Sequence, residues 1–308
     1  MSAQPYDCLI VGGGVAGCTA GIYAKRYSLN VLMLDKGDGG STARASLVEN
    51  YPGFPGGIKG LELVTKVKQQ AEEVGVEVIA VTADKIAREG DLWRVSAGEQ
   101  SFLSYTVIIA AGAYPRSMGV PGEIALSDGK GVSYCATCDG WSCRGKTVAV
   151  VGGGNSAVDE ALYLSNLASR VYIIHRRDKL RAEHYMRDKA ASTPNIEIVW
   201  DSVVTRCLGE EALTALELRN VKTEALSELP VYAVFVAIGH IAKTEWLADT
   251  LKLEDDFIVT DQFMATSQPG IFACGDIRVT HLRQITTAVG DATIAAHSAY
   301  QYVLRNHR

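Results

Sequence analysis

One pattern occurs twice in this chain and leaves few folds open to it. An apolar run, Tyr6-Asp7-Cys8-Leu9-Ile10-Val11, meets a glycine-rich turn, Gly12-Gly13-Gly14-Val15-Ala16-Gly17. A helical stretch through Tyr27 follows, then a second apolar run, Asn30-Val31-Leu32-Met33-Leu34, which ends at Asp35. The pattern returns with Thr147-Val148-Ala149-Val150-Val151, the turn Gly152-Gly153-Gly154-Asn155-Ser156-Ala157, and helical residues to about Leu167. Val171-Tyr172-Ile173-Ile174 closes it, and there the copy ends in His175-Arg176-Arg177 rather than in an acid. Short, uninterrupted apolar runs suit strands buried on both faces, as in a parallel sheet covered by helices.

A buried strand, a glycine turn and a helix, in that order, form a dinucleotide-binding unit. Two of them predict an α/β fold with two Rossmann-like dinucleotide-binding domains. The length of 308 residues agrees, since roughly 100–200 residues make one domain. Residues 84–105 alternate around Glu89-Gly90-Asp91, and residues 201–229 alternate likewise, so each domain is expected to carry a small β-insert. Val107-Ile108-Ile109-Ala110-Ala111-Gly112 and Val234-Phe235-Val236-Ala237-Ile238-Gly239 are matching strands that stop at glycine. Beyond the second, Ile271-Phe272-Ala273-Cys274-Gly275-Asp276 and a helical stretch to about Val303 have no counterpart unless they rejoin the first domain. The expected organisation is a first domain at 1–113, an inserted second domain at 114–240, and the remainder of the first at 241–308.

Composition narrows the class. Hydrophobic residues are 47% and charged residues 21%, ordinary for a soluble folded chain. Lys and Arg number 30 against 35 Asp and Glu, a net charge of −5, without the basic excess of a nucleic-acid binder. The longest apolar run, Val231 to Gly239, is far short of the ~18 residues of a membrane helix. Met1-Ser2-Ala3-Gln4-Pro5 shows no basic-then-apolar leader. Seven cysteines spread over this length do not form a disulfide-stapled secreted scaffold. The expectation is a cytoplasmic enzyme that uses neither nucleic acid nor membrane. In that compartment a close pair of cysteines is more often catalytic or metal-binding than structural.

Three constellations carry chemistry. In the first turn, Gly12, Gly14 and Gly17 supply a tight turn, backbone approach to a pyrophosphate, and close helix–strand packing. The helix start at Val15-Ala16 offers N–H groups to the anion, and Asp35, followed by Lys36, accepts hydrogen bonds from a ribose diol. In the second turn Ala157 holds the third glycine position, and His175-Arg176-Arg177 with Arg181 replaces the acid. Guanidinium groups bind a 2′-phosphate that an acid would repel, so this site reads as NADP(H) rather than as a merely solvated basic face. The third is Cys135-Ala136-Thr137-Cys138-Asp139. Its two sulfurs are spaced for a disulfide and for a lowered thiol pKa. Cys143 follows without a fitting fourth ligand, so no metal site is expected. Asp139 reads either as a turn residue or as a proton donor or acceptor for the adjacent thiol. Cys8, Cys18, Cys143, Cys207 and Cys274 read as small core residues. NADPH gives two electrons as hydride and a disulfide takes two. FAD is the carrier between such partners, which makes the Asp35 copy the FAD site.

At this point the chain resembles the low-molecular-weight thioredoxin-disulfide reductases over essentially its whole length. The resemblance rests on both glycine turns, Val48-Glu49-Asn50-Tyr51-Pro52-Gly53, the Cys135–Asp139 segment, and His175-Arg176-Arg177-Asp178 with Arg181-Ala182. Ala237-Ile238-Gly239-His240, Gly275-Asp276 and Arg283-Gln284 add to it. It implies FAD contacts at Gly12, Gly14, Gly17, Asp35, Asn50, Gly112, Gly275, Asp276, Arg283 and Gln284. It implies NADPH contacts at Asn155, Ser156, Ala157, His175, Arg176, Arg177, Arg181 and His240. It further implies a homodimer that reduces thioredoxin, with Cys138 toward the flavin, Cys135 attacking the substrate, and a domain rotation between half-reactions. The loop Gly39-Gly40-Ser41-Thr42, then Ala43-Arg44-Ala45, and Ile241-Ala242-Lys243 after His240 depart from the family's usual residues. Two alternatives share the fold. One is a flavin oxidoreductase with a ferredoxin donor, oxygen acceptor or small disulfide, and the other a flavin-bound redox sensor.

Overall fold

The computed structural model describes residues 4–45 and 47–307. Met1, Ser2 and Ala3, on which the leader reading partly rests, lie outside the described residues. The chain divides into two compact units, Met1–Tyr114 with Ile241–Arg308, and Pro115–His240.

In the first unit, Glu77–Ile79, Val31–Leu34, Tyr6–Val11 and Gln100–Ile109 lie side by side in that order, all parallel. Gln100–Ile109 serves two neighbours along one edge. Its first half pairs with the antiparallel hairpin Lys85–Glu89 and Leu92–Ala97, and its second half pairs in parallel with Ile271–Ala273. The end of the expected β-insert and the following buried strand are therefore one strand of ten residues. Its burial pattern explains why they read as separate: the first residues are part-exposed and mixed, while the last four are buried and the final three, Val107, Ile108 and Ile109, are apolar.

Side chains alternate across this sheet. Cys8, Ile10, Met33 and Ile108 face the helices Val15–Arg26 and Ile285–Asn306. Ala292, Ala295, Ala296 and Ala299 recur at helical spacing on the second of these, and they pack in one core with Ala16, Ala20 and Ala24. On the other face, Leu9, Val11, Leu32, Leu34 and Ile109 pack with Trp93, Leu247 and Leu251.

The second unit has a parallel sheet in the order Ile196–Val199, Arg170–Ile174, Thr147–Gly152, Ala233–Ala237, Val132–Ser133. Val148, Val150 and Phe235 face the helix Asn155–Ser165 through Ala157, Ala161 and Leu164. Ala149, Ile174, Val234 and Val236 cover the other face with residues of a separate antiparallel sheet, Ser202–Leu208, Ala215–Asn220 and Leu226–Pro230. Here the insert stands apart from the main sheet, unlike its counterpart in the first unit. Among the described residues, no helix is long and apolar enough to cross a membrane.

Candidate functional site

The first glycine turn connects Tyr6–Val11 to Val15–Arg26. A Cβ on Gly17 would strike the Gly12 carbonyl, so only glycine lets the helix sit this close to the strand. Gly14 caps the helix with no side-chain hydrogen bond, and a Cβ there would meet nothing within 4 Å. Uncapped N–H groups beside open space suit an anion. Val15 and Ala16 are buried behind it. Gly13 is glycine for another reason: a Cβ would run into the Asp35 carboxylate. Asp35 is buried, accepts the Gly13 N–H at 3.2 Å, and pairs with Lys68 Nζ at 3.1 Å. Lys36 is exposed and turns to Asp38 at 2.7 Å and to the Tyr114 hydroxyl at 3.2 Å.

Other parts of the first unit converge by tertiary pairing. Asn50 Nδ2 donates to Gln284 Oε1 at 2.9 Å across 234 residues of sequence. Gln284 also caps the long helix Ile285–Asn306 in a reciprocal box with Thr287. Gly112 and Gly275 both adopt positive φ. The Asp276 carboxyl is pushed up to about 6 by burial, against the pull of Arg283 and aided by Asp291. Burial lowers the Arg283 pKa in turn, and its Nε is buried with no hydrogen-bond partner.

The second turn repeats the first with different side chains. Gly154 begins Asn155–Ser165 without a side-chain cap and with open space where a Cβ would stand. His175 occupies the place of Asp35 and packs on Gly153 as Asp35 packs on Gly13. Its ring is spent on the backbone, Nδ1 against the Gly152 carbonyl at 3.0 Å and Nε2 against the Lys179 carbonyl at 3.1 Å. Burial lowers its pKa, opposed by these carbonyls and helped by Arg181 and Arg177. The Gly153 carbonyl accepts the N–H groups of Arg181 at 2.6 Å and Ala182 at 3.0 Å. This folds the basic loop back over the turn, leaving Arg176, Arg177 and Arg181 exposed. Asn155 exchanges two hydrogen bonds with Glu183, at 3.2 and 2.9 Å. Ser156 is exposed, Ala157 buried, and His240 half-buried where this unit ends.

Cys135 and Cys138 form a disulfide, with Cα atoms 5.3 Å apart. Cys135 caps the four-residue helix Ala136–Asp139. Ser133 donates to Asp139 Oδ2 at 2.5 Å and accepts the Cys135 N–H at 3.1 Å, so one hydroxyl ties the acid to the first sulfur's residue. One residue earlier, Tyr134 donates to Glu123 at 2.8 Å. Glu123 is itself buried and accepts the N–H groups of Met118 and Gly119 at 2.8 and 2.7 Å. The other five cysteines are buried free thiols. Burial pushes Cys8 and Cys18 up to about 12 and Cys207 up to about 11, so these remain protonated and inert.

Three residues of these sites carry no motif: Lys68, Glu123 and Ser133. Lys68 lies on a helix, where a single charge gives no signal. Ser133 stands two residues before Cys135 in a segment that reads as loop, so its proximity in sequence was the one available sign.

The profile of the family described as pyridine nucleotide-disulphide oxidoreductase matches residues 6–292. The chain is 40% identical to the thioredoxin reductase of Treponema pallidum (strain Nichols) over 299 residues, 97% of each chain. It is 41% identical to that of Bacillus subtilis (strain 168) over 301 residues, 97% of this chain and 95% of the relative. The crystal structure of thioredoxin reductase from Streptococcus pyogenes MGAS5005 has a TM-score of 0.93 at 42% identity, covering 99% of this chain and 100% of that one. With two glycine turns and a disulfide of this spacing, the chain belongs to the pyridine nucleotide-disulphide oxidoreductase family, among its thioredoxin reductases.

Proposed function

We propose that the chain reduces the disulfide of thioredoxin with electrons from NADPH, through FAD and the Cys135–Cys138 pair. The observation that carries this reading is the disulfide itself, formed on an exposed turn of the unit that also presents Arg176, Arg177 and Arg181. The names of the relatives support thioredoxin as the disulfide reduced.

The first turn fits FAD. Its helix start is uncapped beside open space, Asp35 stands at the ribose position, and the orphaned Arg283 Nε and buried Asp276 offer polar groups to a ligand. The second turn fits NADPH, with Gly154 toward the pyrophosphate and the arginines toward the 2′-phosphate. When bound, FAD supplies the two-electron relay between nicotinamide and sulfur. The chain's own residues do the rest. Reduced Cys135 attacks the substrate disulfide, releasing one substrate thiol and forming a mixed disulfide. Cys138 then attacks Cys135, freeing the second substrate thiol and restoring Cys135–Cys138. Asp139, held by Ser133, exchanges the proton of the neighbouring thiol. Overall, one NADPH and one proton convert one disulfide into two thiols.

The disulfide and the arginine cluster belong to the second unit, and the Asp35 turn belongs to the first. Hydride transfer needs its partners within ~3–3.5 Å, and so does delivery to the sulfurs, so the second unit turns between two poses about the crossings at 114–115 and 240–241. The resemblance supports a homodimer in the cytoplasm, which sedimentation at two concentrations tests. The deciding experiment follows NADPH oxidation with the host's thioredoxins, with NADH as control. Thioredoxin-dependent turnover confined to NADPH is expected, and nucleotide binding without turnover sinks the reading in favour of a redox sensor.

A further inference from the structure

Asp35 does not stand alone at the end of its strand. Its side chain is 6% exposed, and a carboxylate so buried is costly without a counter-charge. Lys68 supplies one, reaching from the helix Gly60–Glu73, 33 residues away in sequence, to place Nζ 3.1 Å from Oδ2. The Gly13 N–H takes Oδ1. A carboxylate offers about four lone-pair directions. The lysine and the amide engage one on each oxygen, and each oxygen keeps another for a hydroxyl. The two contacts also hold the carboxylate from two sides, one on the turn and one on a neighbouring helix.

We propose that Lys68 is a positioning residue for the adenosine ribose of the dinucleotide held by the first unit, acting through Asp35. This rests on reading that turn as the FAD site. Lys68 itself makes no contact with the reacting atoms. Its work is to present Asp35 as a fixed, charged acceptor for a 1,2-diol.

The test uses the full-length protein stripped of flavin, with binding measured directly rather than through activity. FAD and an FAD analogue lacking both adenosine ribose hydroxyls are titrated against the unmodified apoprotein, Lys68→Met, Lys68→Gln and Lys68→Arg. A hydrogen-bonded charge carries enough that Lys68→Met and Lys68→Gln should each weaken FAD binding roughly 10- to 100-fold. The same variants should change binding of the analogue by much less, because the contact being positioned is already gone. Lys68→Arg should restore most of the FAD affinity. NADPH affinity in the second unit, unchanged in all variants, shows that the chain is folded. If Lys68→Met or Lys68→Gln weakens FAD and the analogue by the same factor, or leaves FAD binding unchanged, the proposal is overturned. Failure of the unmodified apoprotein to bind FAD at all would instead overturn the reading on which the proposal rests.

Discussion

Glu160 sits on the helix Asn155–Ser165 with Oε2 buried and unpartnered, while the Ala136 N–H beside Cys135 faces its carboxyl. Burial pushes this carboxyl up to about 7, against the Ala136 N–H and with Asp159 adding to the rise. An acid whose pKa is higher in the folded chain than in the unfolded one stabilises the fold in its protonated form. That contribution is complete below about 4.5 and is lost as the pH rises from there through about 7. Glu160→Gln should remove the dependence, so that the stability of the variant relative to the parent rises as the pH goes from about 4.5 through about 7. The relative gain over that window should be about 2–3 kcal/mol in thermal melts, on top of a pH-independent cost for the unpaired amide. A second expectation belongs to the basic loop. Arg176→Ala or Arg177→Ala should raise the KM for NADPH roughly 10- to 100-fold and leave the NADH rate nearly unchanged. Equal efficiencies with both nucleotides in the parent protein would refute the 2′-phosphate assignment. His175 differs from its neighbours here. The sequence groups it with the arginines, but its two ring nitrogens face the carbonyls of Gly152 and Lys179, so it supports the turn that the arginines surround.

The redox segment is a single short turn, Ala136–Asp139, with Cys135 as its cap. A four-residue helix has no stability of its own. It is held by residues that precede it, by Ser133 on Asp139 and on the Cys135 N–H, and by Glu123 on Tyr134. The proposed order of attack then gives an asymmetric outcome. Cys138→Ser should leave Cys135 able to attack but with no thiol to resolve it, so a covalent Cys135–thioredoxin adduct should accumulate on a non-reducing gel. Cys135→Ser should give no such adduct, and thioredoxin turnover by Cys135→Ser protein would show the assignment to be wrong. The spacing of the two cysteines made this element visible in the sequence. Its supports were not, because hydroxyl and carboxyl partners of a turn have no periodicity to read. The middle glycines, Gly13 and Gly153, are a comparable case. Each looks like part of a flexible run, yet each is small because the side chain closing the next strand packs on it.

The chain crosses between its two units at 114–115 and at 240–241, so anything that joins the units elsewhere should arrest the cycle. A photocleavable cross-link between engineered surface cysteines, one in each unit, should abolish steady-state NADPH oxidation with thioredoxin. NADPH binding at the arginine loop should survive, and cleavage by light should restore turnover. Full turnover in the cross-linked protein would refute the two-pose cycle. Much of this protein was legible in its sequence, because parallel strands buried on both faces are mostly apolar and, at the first turn, only glycine lets the helix approach the strand as closely as it does. Such local demands revealed both glycine turns, the basic loop after the second and the cysteine pair. The tertiary structure decided what depends on distant partners. It ran the end of the first insert and the strand that follows it together as Gln100–Ile109, kept the second insert as a separate sheet, and brought Asn50 to Gln284 and Lys68 to Asp35. The physical reason is that strand pairing, burial and charge pairing are properties of two surfaces meeting, and neither surface by itself carries the record of the other.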